Sequence, residues 1–570
     1  MALNAPAQPR RPNRWQVPCK HAVAPTHGRR EVARPPGFDA LHIATWDRGG
    51  NTRCPSVDIA TWEWRVRQES SGEGAVYLGI DAGTQSLKVL AYDPAARQVV
   101  GQQSRSLALD SAEDGSREQD AASWTRALQE CVLALPDAVR ARVRGLAVSG
   151  QQHGLVALAA DDSVLAPVKL WCDTSSTAEC DAITAAVGGE SACIAASGNP
   201  LRVGYTASKL PWTRQHRPQA YAALDGIALP HDYLNLWLTG ARFMECGDAS
   251  GTGWLDIRTR QWSPTMLAAT DPDRDLAALL PPLVAADATF ALLPAIADAL
   301  GLSAGVRVAV GGGDNMMAAI GTGAVREGRL SMSLGTSGTL FAWSASPKID
   351  PQGRWAAFCA SDGGWLPLIC TMNCTVATNQ LATLLGLHHG QTEALLQASQ
   401  PGAAGLVLLP FFNGERSPDL PLAKGALHGV DLHNLSPANL YRAAMEGASY
   451  SLKLGYDAMR EAGLQGARVV LTGGGANSGA WRQLIADLFQ LPVEVPVQAE
   501  GAAFGAALQA AWACAGARMP LADLVDAHVV FDPALSAQPD PERGAAYARG
   551  YQRFNHYLQA SLPLYRQRLP

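Results

Sequence analysis

The 570-residue chain has no apolar run that approaches the length needed to cross a bilayer. Its first residues, MALNAPAQPRRPNRW, are basic but are followed by no apolar segment, so no secretory signal is expected. Charged residues are few, at 17%, and the net charge is only −5. That balance gives no support to a nucleic-acid or membrane-surface partner. The eleven cysteines are scattered, odd in number and without a CxxC pair, which fits reduced thiols in a cytoplasmic enzyme. No histidines, His388-His389 included, show metal-ligand spacing. There is no GxxxxGK[ST] loop, which excludes a P-loop kinase, and the protein-kinase motif set is missing too.

What the chain does have is a hydrophobic content of 47% and more length than one core can use, so two large domains or more are expected. Residues 1–75 stand apart. They are rich in Pro and Arg, end in the soft stretch Glu69–Gly74, and read as a disordered tail or a misplaced start of translation. From Val76 onward, strand and helix patterns alternate, which predicts an α/β fold of sheets covered by helices. VYLGID, KVLAYD and VVGQQS read as strands, and 120–144 as a helix. GLAVSG and GLVALAA are read as further strands, and VRVAVGG as a strand running through glycines into a helix. Later, RLSMSLG turns at TSG and returns as TLFAW. Residues 436–463 read as a long helix, ARVVLT as a strand, 478–490 as a helix, VEVPV as a strand and 501–514 as a small-residue helix.

One pattern occurs twice. Strand–Asp81-Ala-Gly83-Thr84–strand is echoed about 250 residues later by strand–Ser333-Leu-Gly335-Thr336-Ser337-Gly338–strand. Chance could produce one such hairpin, because Gly and Thr are common in turns. Two, each flanked by apolar strands, point to a duplicated fold.

Phosphoryl transfer needs backbone N–H groups around phosphates, a carboxylate that manages magnesium, and a group that deprotonates the acceptor. The tips Gly83-Thr84 and Gly335-Thr336 suit the first task, since glycine lets the backbone approach phosphate oxygens. Asp81, at the end of an apolar strand, suits Mg²⁺ held through water, and equally suits an ordinary turn. Asp314 follows three glycines at a strand end and precedes a helix, whose dipole favours an ionised carboxylate. It reads as a general base or as a helix N-cap. Gly474, Gly475 and Asn477 lie between a strand and a helix, as close approach to a nucleotide or a simple tight turn would require. Gln152, His153 and Trp171 cluster at strand ends, where polar groups and an aromatic wall suit a sugar.

In this order, the segments resemble the FGGY family of carbohydrate kinases. IDAGTQSLKV, SGQQHG, WCDTSS, GYTASKLPW, LPHDYLNLWLTG, DASGTGWLDI, GGGDN, SLGTSG, LPFFNGERSP, GALHGV with RAAMEG, and LTGGGANS carry the likeness, which spans nearly everything from Val76 to the C-terminus. The resemblance is to the branch that acts on D-xylulose. It implies an actin-like ATPase fold of two RNase H-like domains flanking a catalytic cleft, with 76–325 the sugar-binding domain and 326–570 the nucleotide-binding domain. It implies ATP and Mg²⁺, with D-xylulose or a similar ketose phosphorylated at its C5 hydroxyl, and it allows a homodimer. By position, Asp314 becomes the proton acceptor, and Asp81 the acidic residue near the phosphates and the magnesium. Gln152, His153, Asn315 and Trp171 border the sugar. Gly83, Thr84, Gly335 and Thr336 fall on phosphate loops, and Gly474, Gly475 and Asn477 on the adenosine side. Gln152 stands where many bacterial relatives have Met, adding hydrogen-bonding capacity beside the substrate, and Cys172-Asp173-Thr174-Ser175 stands in place of Asn-Asp-Gly-Arg. Ribulose, arabinitol and gluconate are rival acceptors. Glycerol kinases carry an Arg-Glu pair at Gln152-His153, which disfavours glycerol. A non-metabolic actin-like ATPase would not need the Gln152-His153 segment.

Overall fold

Two apolar hairpins nucleate two sheets. The computed structural model describes residues 74–565, so the expected N-terminal extension lies, but for its last two residues, outside the described residues. The first sheet contains β1 (Val76–Ala82), β2 (Ser86–Asp93), β3 (Gln98–Ser106), β4 (Val143–Gly150), β5 (Thr289–Ala291), β6 (Arg307–Ala309) and β7 (Gly312–Gly313). Its order is β5-β6-β4-β1-β2-β3, and β7 pairs with β4. The second sheet contains β8 (Arg329–Leu334), β9 (Gly338–Ala342), β10 (Ala356–Cys359), β11 (Trp365–Thr371), β12 (Arg468–Thr472) and β13 (Val493–Glu494), in the order β10-β11-β9-β8-β12-β13.

The internal echo is a true repeat of topology. In the first sheet β3, β2 and β1 run antiparallel in succession, and then β4 and β6 add in parallel to β1. In the second, β11, β9 and β8 do the same, followed by β12 and β13 in parallel. Each Gly-Thr hairpin therefore occupies the equivalent central place in its own sheet.

Local chemistry explains the helix limits. α1 (Ala121–Leu133) starts at Asp120, whose carboxylate accepts from the Ala122 N–H at 3.0 Å. It does not continue to 144: Pro136 ends it, a four-residue turn follows at Asp137–Arg140, and β4 begins at Val143. The GLVALAA run yields only the three-residue strand Val156–Leu158, which pairs with Gly226–Ala228 outside both large sheets. VEVPV shortens likewise to β13. Also described are α2 (Pro230–Thr239), α3 (Asp314–Gly321), α4 (Pro437–Glu461), α5 (Gly479–Phe489) and α6 (Gly501–Cys514). Ser436 and Ser478 cap α4 and α5 through the N–H groups of Asn439 and Trp481.

The small-residue helix α6 joins the core. It packs on α3 and on β1 at backbone distance: a Cβ on Gly505 would lie 1.8 Å from the Met317 carbonyl oxygen, and one on Gly79 would lie 1.7 Å from that of Ala503. Neither helix can yield without moving the strand beneath it. Gly505→Ala is expected to cost about 1–3 kcal/mol or more through overpacking. Chemical denaturation would register this as a lower midpoint, and an unchanged midpoint would contradict the backbone contact. Among the described residues no helix is long and apolar enough to cross a membrane.

Candidate active site

The site is built at the ends of β1, β4 and β7. Asp81, near the end of β1, sits opposite Lys88 on β2 and Ser149 on β4. Ser149 Oγ donates to Asp81 Oδ1 at 3.0 Å, the carboxylate's one hydrogen bond among the described residues. Lys88 is drawn off to Glu500 at 2.6 Å. Burial raises Asp81 to about 6, against the Ser149 bond and the Lys88 charge.

Gly313 of β7 pairs with Gly150 of β4, and that register brings Asp314 beside Gln152. The helix N-cap is Gly313, so Asp314 is the first helical residue and does not cap. Its Oδ1 accepts from the Asn315 N–H at 2.7 Å and from Asn315 Nδ2 at 2.9 Å, leaving Oδ2 free. The helix dipole does not prevail here. Burial first, and then the Asp81 and Asp248 charges, raise Asp314 to about 7.

Gln152 is buried, and its Oε1 accepts from Asn315 Nδ2 at 3.0 Å. The capacity expected to serve the substrate is thus partly spent inside the protein. His153 adopts a left-handed backbone with φ of 67°. Its carbonyl is held by Lys209 Nζ at 2.5 Å and Thr206 Oγ1 at 3.2 Å. The ring stacks on Tyr205, with centroids 4.7 Å apart, and its Nδ1 faces the Gly251 carbonyl at 2.7 Å. Burial, then the Lys209 charge, lowers His153 to about 3. The ring is therefore neutral with the proton on Nδ1, and Nε2 is an acceptor suited to a hydroxyl.

Trp171 Nε1 donates to Thr84 Oγ1 at 2.9 Å, and that hydroxyl donates to Gln151 Oε1 at 3.0 Å. The Thr84 side chain thus ties the first loop to the aromatic wall rather than standing free for phosphate, while the Gly83 backbone lies at the hairpin tip.

A cavity of about 200 Å³ unites Gln152, His153, Trp171, Asp314 and Asn315. The second hairpin contributes Ser337 to its lining, next to Gly335 and Thr336. The carbonyls of those two residues accept from Thr375 and Cys374 N–H groups at 2.9 and 3.0 Å, which leaves the exposed Thr336 side chain outward. Gly474, Gly475 and Asn477 form a short 3₁₀ turn after β12 and do not line the cavity. Gly475 packs on Leu334, whereas no atom lies within 4 Å of where a Gly474 Cβ would stand. The turn thus borders the second hairpin with one face open.

Among the lining residues not anticipated are Tyr205, Phe358 and Arg416. Arg416 stands over the Trp171 ring at 5.5 Å and makes no ion pair among the described residues. Its segment, NGERSP, was among the family-like motifs, but nothing local indicated that it would reach across to Trp171.

Residues 76–321 match the N-terminal domain of the FGGY family of carbohydrate kinases, and 330–514 match its C-terminal domain. The chain belongs to the FGGY family of carbohydrate kinases. Among its relatives, the xylulose kinase of Haemophilus influenzae is 41% identical over 491 residues, 85% of this chain and 99% of that protein. The xylulose kinase of Escherichia coli is 36% identical over 496 residues, 86% and 100% of the two chains. The crystal structure of a xylulose kinase from Brucella ovis superposes with a TM-score of 0.79 at 31% identity, covering 86% of this chain and all of that one. The two sheets are thus the halves of an actin-like ATPase fold. As an FGGY carbohydrate kinase the protein is a sugar phosphotransferase with ATP as a substrate. The cavity brings together a carboxylate, a neutral imidazole and an aromatic wall, groups that suit a polyhydroxylated ligand.

Proposed function

We propose that this kinase transfers the γ-phosphoryl group of ATP to the C5 hydroxyl of D-xylulose, giving D-xylulose 5-phosphate and ADP. The observation that carries the chemistry is Asp314: a cavity-lining carboxylate with one oxygen free and its proton affinity raised to near neutrality. The names of its xylulose kinase relatives supply the acceptor.

Residues 76–325 hold the sugar, and 326–570 hold the nucleotide. Asp314 Oδ2 takes the proton of the attacking hydroxyl, while Asn315 steadies Oδ1. His153 Nε2 accepts from a sugar hydroxyl, and Trp171 covers a carbon face. The Gly83 N–H is spent on the Ser86 carbonyl at 3.1 Å, so the remaining tip N–H groups of the Gly83-Thr84 and Gly335-Thr336 hairpins face the phosphates, and the turn at Gly474, Gly475 and Asn477 borders the adenosine. Asp81 fits a water-mediated magnesium site: one oxygen is unbonded, and a nearby cation would offset the cost of burying its charge. Magnesium, when bound with the nucleotide, offsets phosphate charge.

Ionised Asp314 is the active form, so kcat/KM is expected to fall as pH drops through about 7. A pH–rate profile flat from pH 5 to pH 8 would contradict that role. The function itself is tested by ADP release from purified enzyme with D-xylulose, with phosphorus NMR of the product. ATP hydrolysis indifferent to every sugar would instead favour a non-metabolic ATPase.

A further inference from the structure

Beneath the cavity lies a charge cluster that the reaction leaves unused. His231, on the first turn of α2, is fully buried and packs against Gly150: a Cβ there would come within 2.6 Å of His231 Cβ. Its Nδ1 lies 2.9 Å from Asp248 Oδ2 and 3.1 Å from Asp232 Oδ1, and its Nε2 lies 3.0 Å from the Val310 carbonyl oxygen. A carbonyl oxygen only accepts, so Nε2 carries a proton. Nδ1 faces two carboxylates, which favours a second proton there and an imidazolium ring. Burial alone would lower its pKa, but Asp232, Asp248 and Glu245 outweigh burial and raise it to about 9. The cluster is a buried ion pair.

The second oxygen of Asp248 is unused. Asp248 Oδ1 is buried without a partner, and so is Gln152 Nε2. One is an acceptor, the other a donor, and both flank Gly313. A Cβ on Gly313 would lie 3.1 Å from Asp248 Oδ1 and 2.8 Å from Gln152 Cγ. The other end of the Gln152 amide already accepts from Asn315 Nδ2, which in turn donates to Asp314. The path from His231 through Asp248, Gln152 and Asn315 to Asp314 thus has a single open link.

We infer that Asp248, held by the His231 imidazolium, is a positioning residue that orients the Gln152 amide and, through Asn315, sets the geometry of Asp314. This rests on the proposed role of Asp314 as the base. Methionine at 152 could supply neither end of the strut. The charged and titratable groups facing Asp314 are Asp81 from β1, Asp248 from the segment after Glu245, and Cys370 and His153 within the cavity; Arg416 stands on the wall beside Cys370. The Asp248 charge raises Asp314, so its removal lowers the pH at which Asp314 ionises.

The test compares Asp248→Asn, Gln152→Met and the double variant as full-length enzyme. Asp248→Asn is expected to shift the acid limb of kcat/KM down by about half a pH unit or more, because a like charge is lost. Both single variants should lose about tenfold in kcat, and the double variant should be no worse than the poorer single one, as coupled sites require. Additive losses with an unmoved acid limb would overturn the inference. Should Asp248→Asn fail to fold, nitrogen-15 NMR of wild-type histidines decides: His231 doubly protonated at pH 8 supports the cluster, and a neutral ring overturns it. Asp314→Asn separates the two layers. Near-normal turnover there overturns the base assignment and this inference with it. A dead Asp314→Asn beside additive strut variants overturns the inference alone.

Discussion

Asp314→Asn is expected to fold, to bind sugar and to turn over about 10²–10⁴-fold more slowly, the usual worth of a positioned base. The amide is nearly isosteric and can still accept from the Asn315 N–H and Nδ2 groups that hold Oδ1. What it loses is the proton affinity that burial, Asp81 and Asp248 have raised to about 7. A base tuned near the working pH is ionised often enough to act and basic enough to pull a proton. The loss should appear in kcat, with sugar KM changed little, because His153 and Trp171 still bind the acceptor. Turnover within a few fold of wild type would remove Asp314 from the chemistry.

Asp81→Asn carries the second large effect. It keeps the side chain's size and can still accept from Ser149, but it removes the charge proposed to hold magnesium through water. A loss of about 10²–10³ in kcat is expected, comparable to removing one preorganised electrostatic group, and saturation should demand more magnesium. A second signature follows from the same charge. Asp81 raises Asp314, so the residual activity should keep its rate to lower pH than wild type. Unchanged rate and unchanged magnesium dependence would contradict the role.

The hairpins were legible because their signal is local: apolar alternation interrupted by Gly-Thr, repeated once. Their equivalence in the two sheets followed from that repeat. Asp314 was legible for the same reason, since three glycines between a strand and a helix leave few other places for it. Its electrostatics were not. The helix dipole is a one-element argument, whereas Asp81 reaches Asp314 through the pairing of β1, β4 and β7, and Asp248 through the Cys246–Ala249 turn that packs against Gly313. Gln152 shows the limit most clearly. Its partner Asn315 is 163 residues away in the chain, so its amide looked free for the sugar. Nor were the partners of Thr84 legible, because Trp171 and Gln151 claim its hydroxyl from distant segments. The helix expected over 120–144 failed for a local reason, Pro136, that outweighs its apolar periodicity.

The cavity draws its lining from both halves of the chain. Arg416, a cation with no carboxylate partner among the described residues, faces the Trp171 wall that the sugar is proposed to share. Gluconate, whose carboxylate would seek such a cation, is therefore the most informative rival acceptor. The direct measurement is kcat/KM of the purified full-length enzyme with ATP and magnesium across D-xylulose, ribulose, arabinitol and gluconate. D-xylulose should lead the panel, with phosphate on C5 by NMR of the product. Efficient phosphorylation of ribulose or gluconate, with D-xylulose left unchanged, would contradict the assignment.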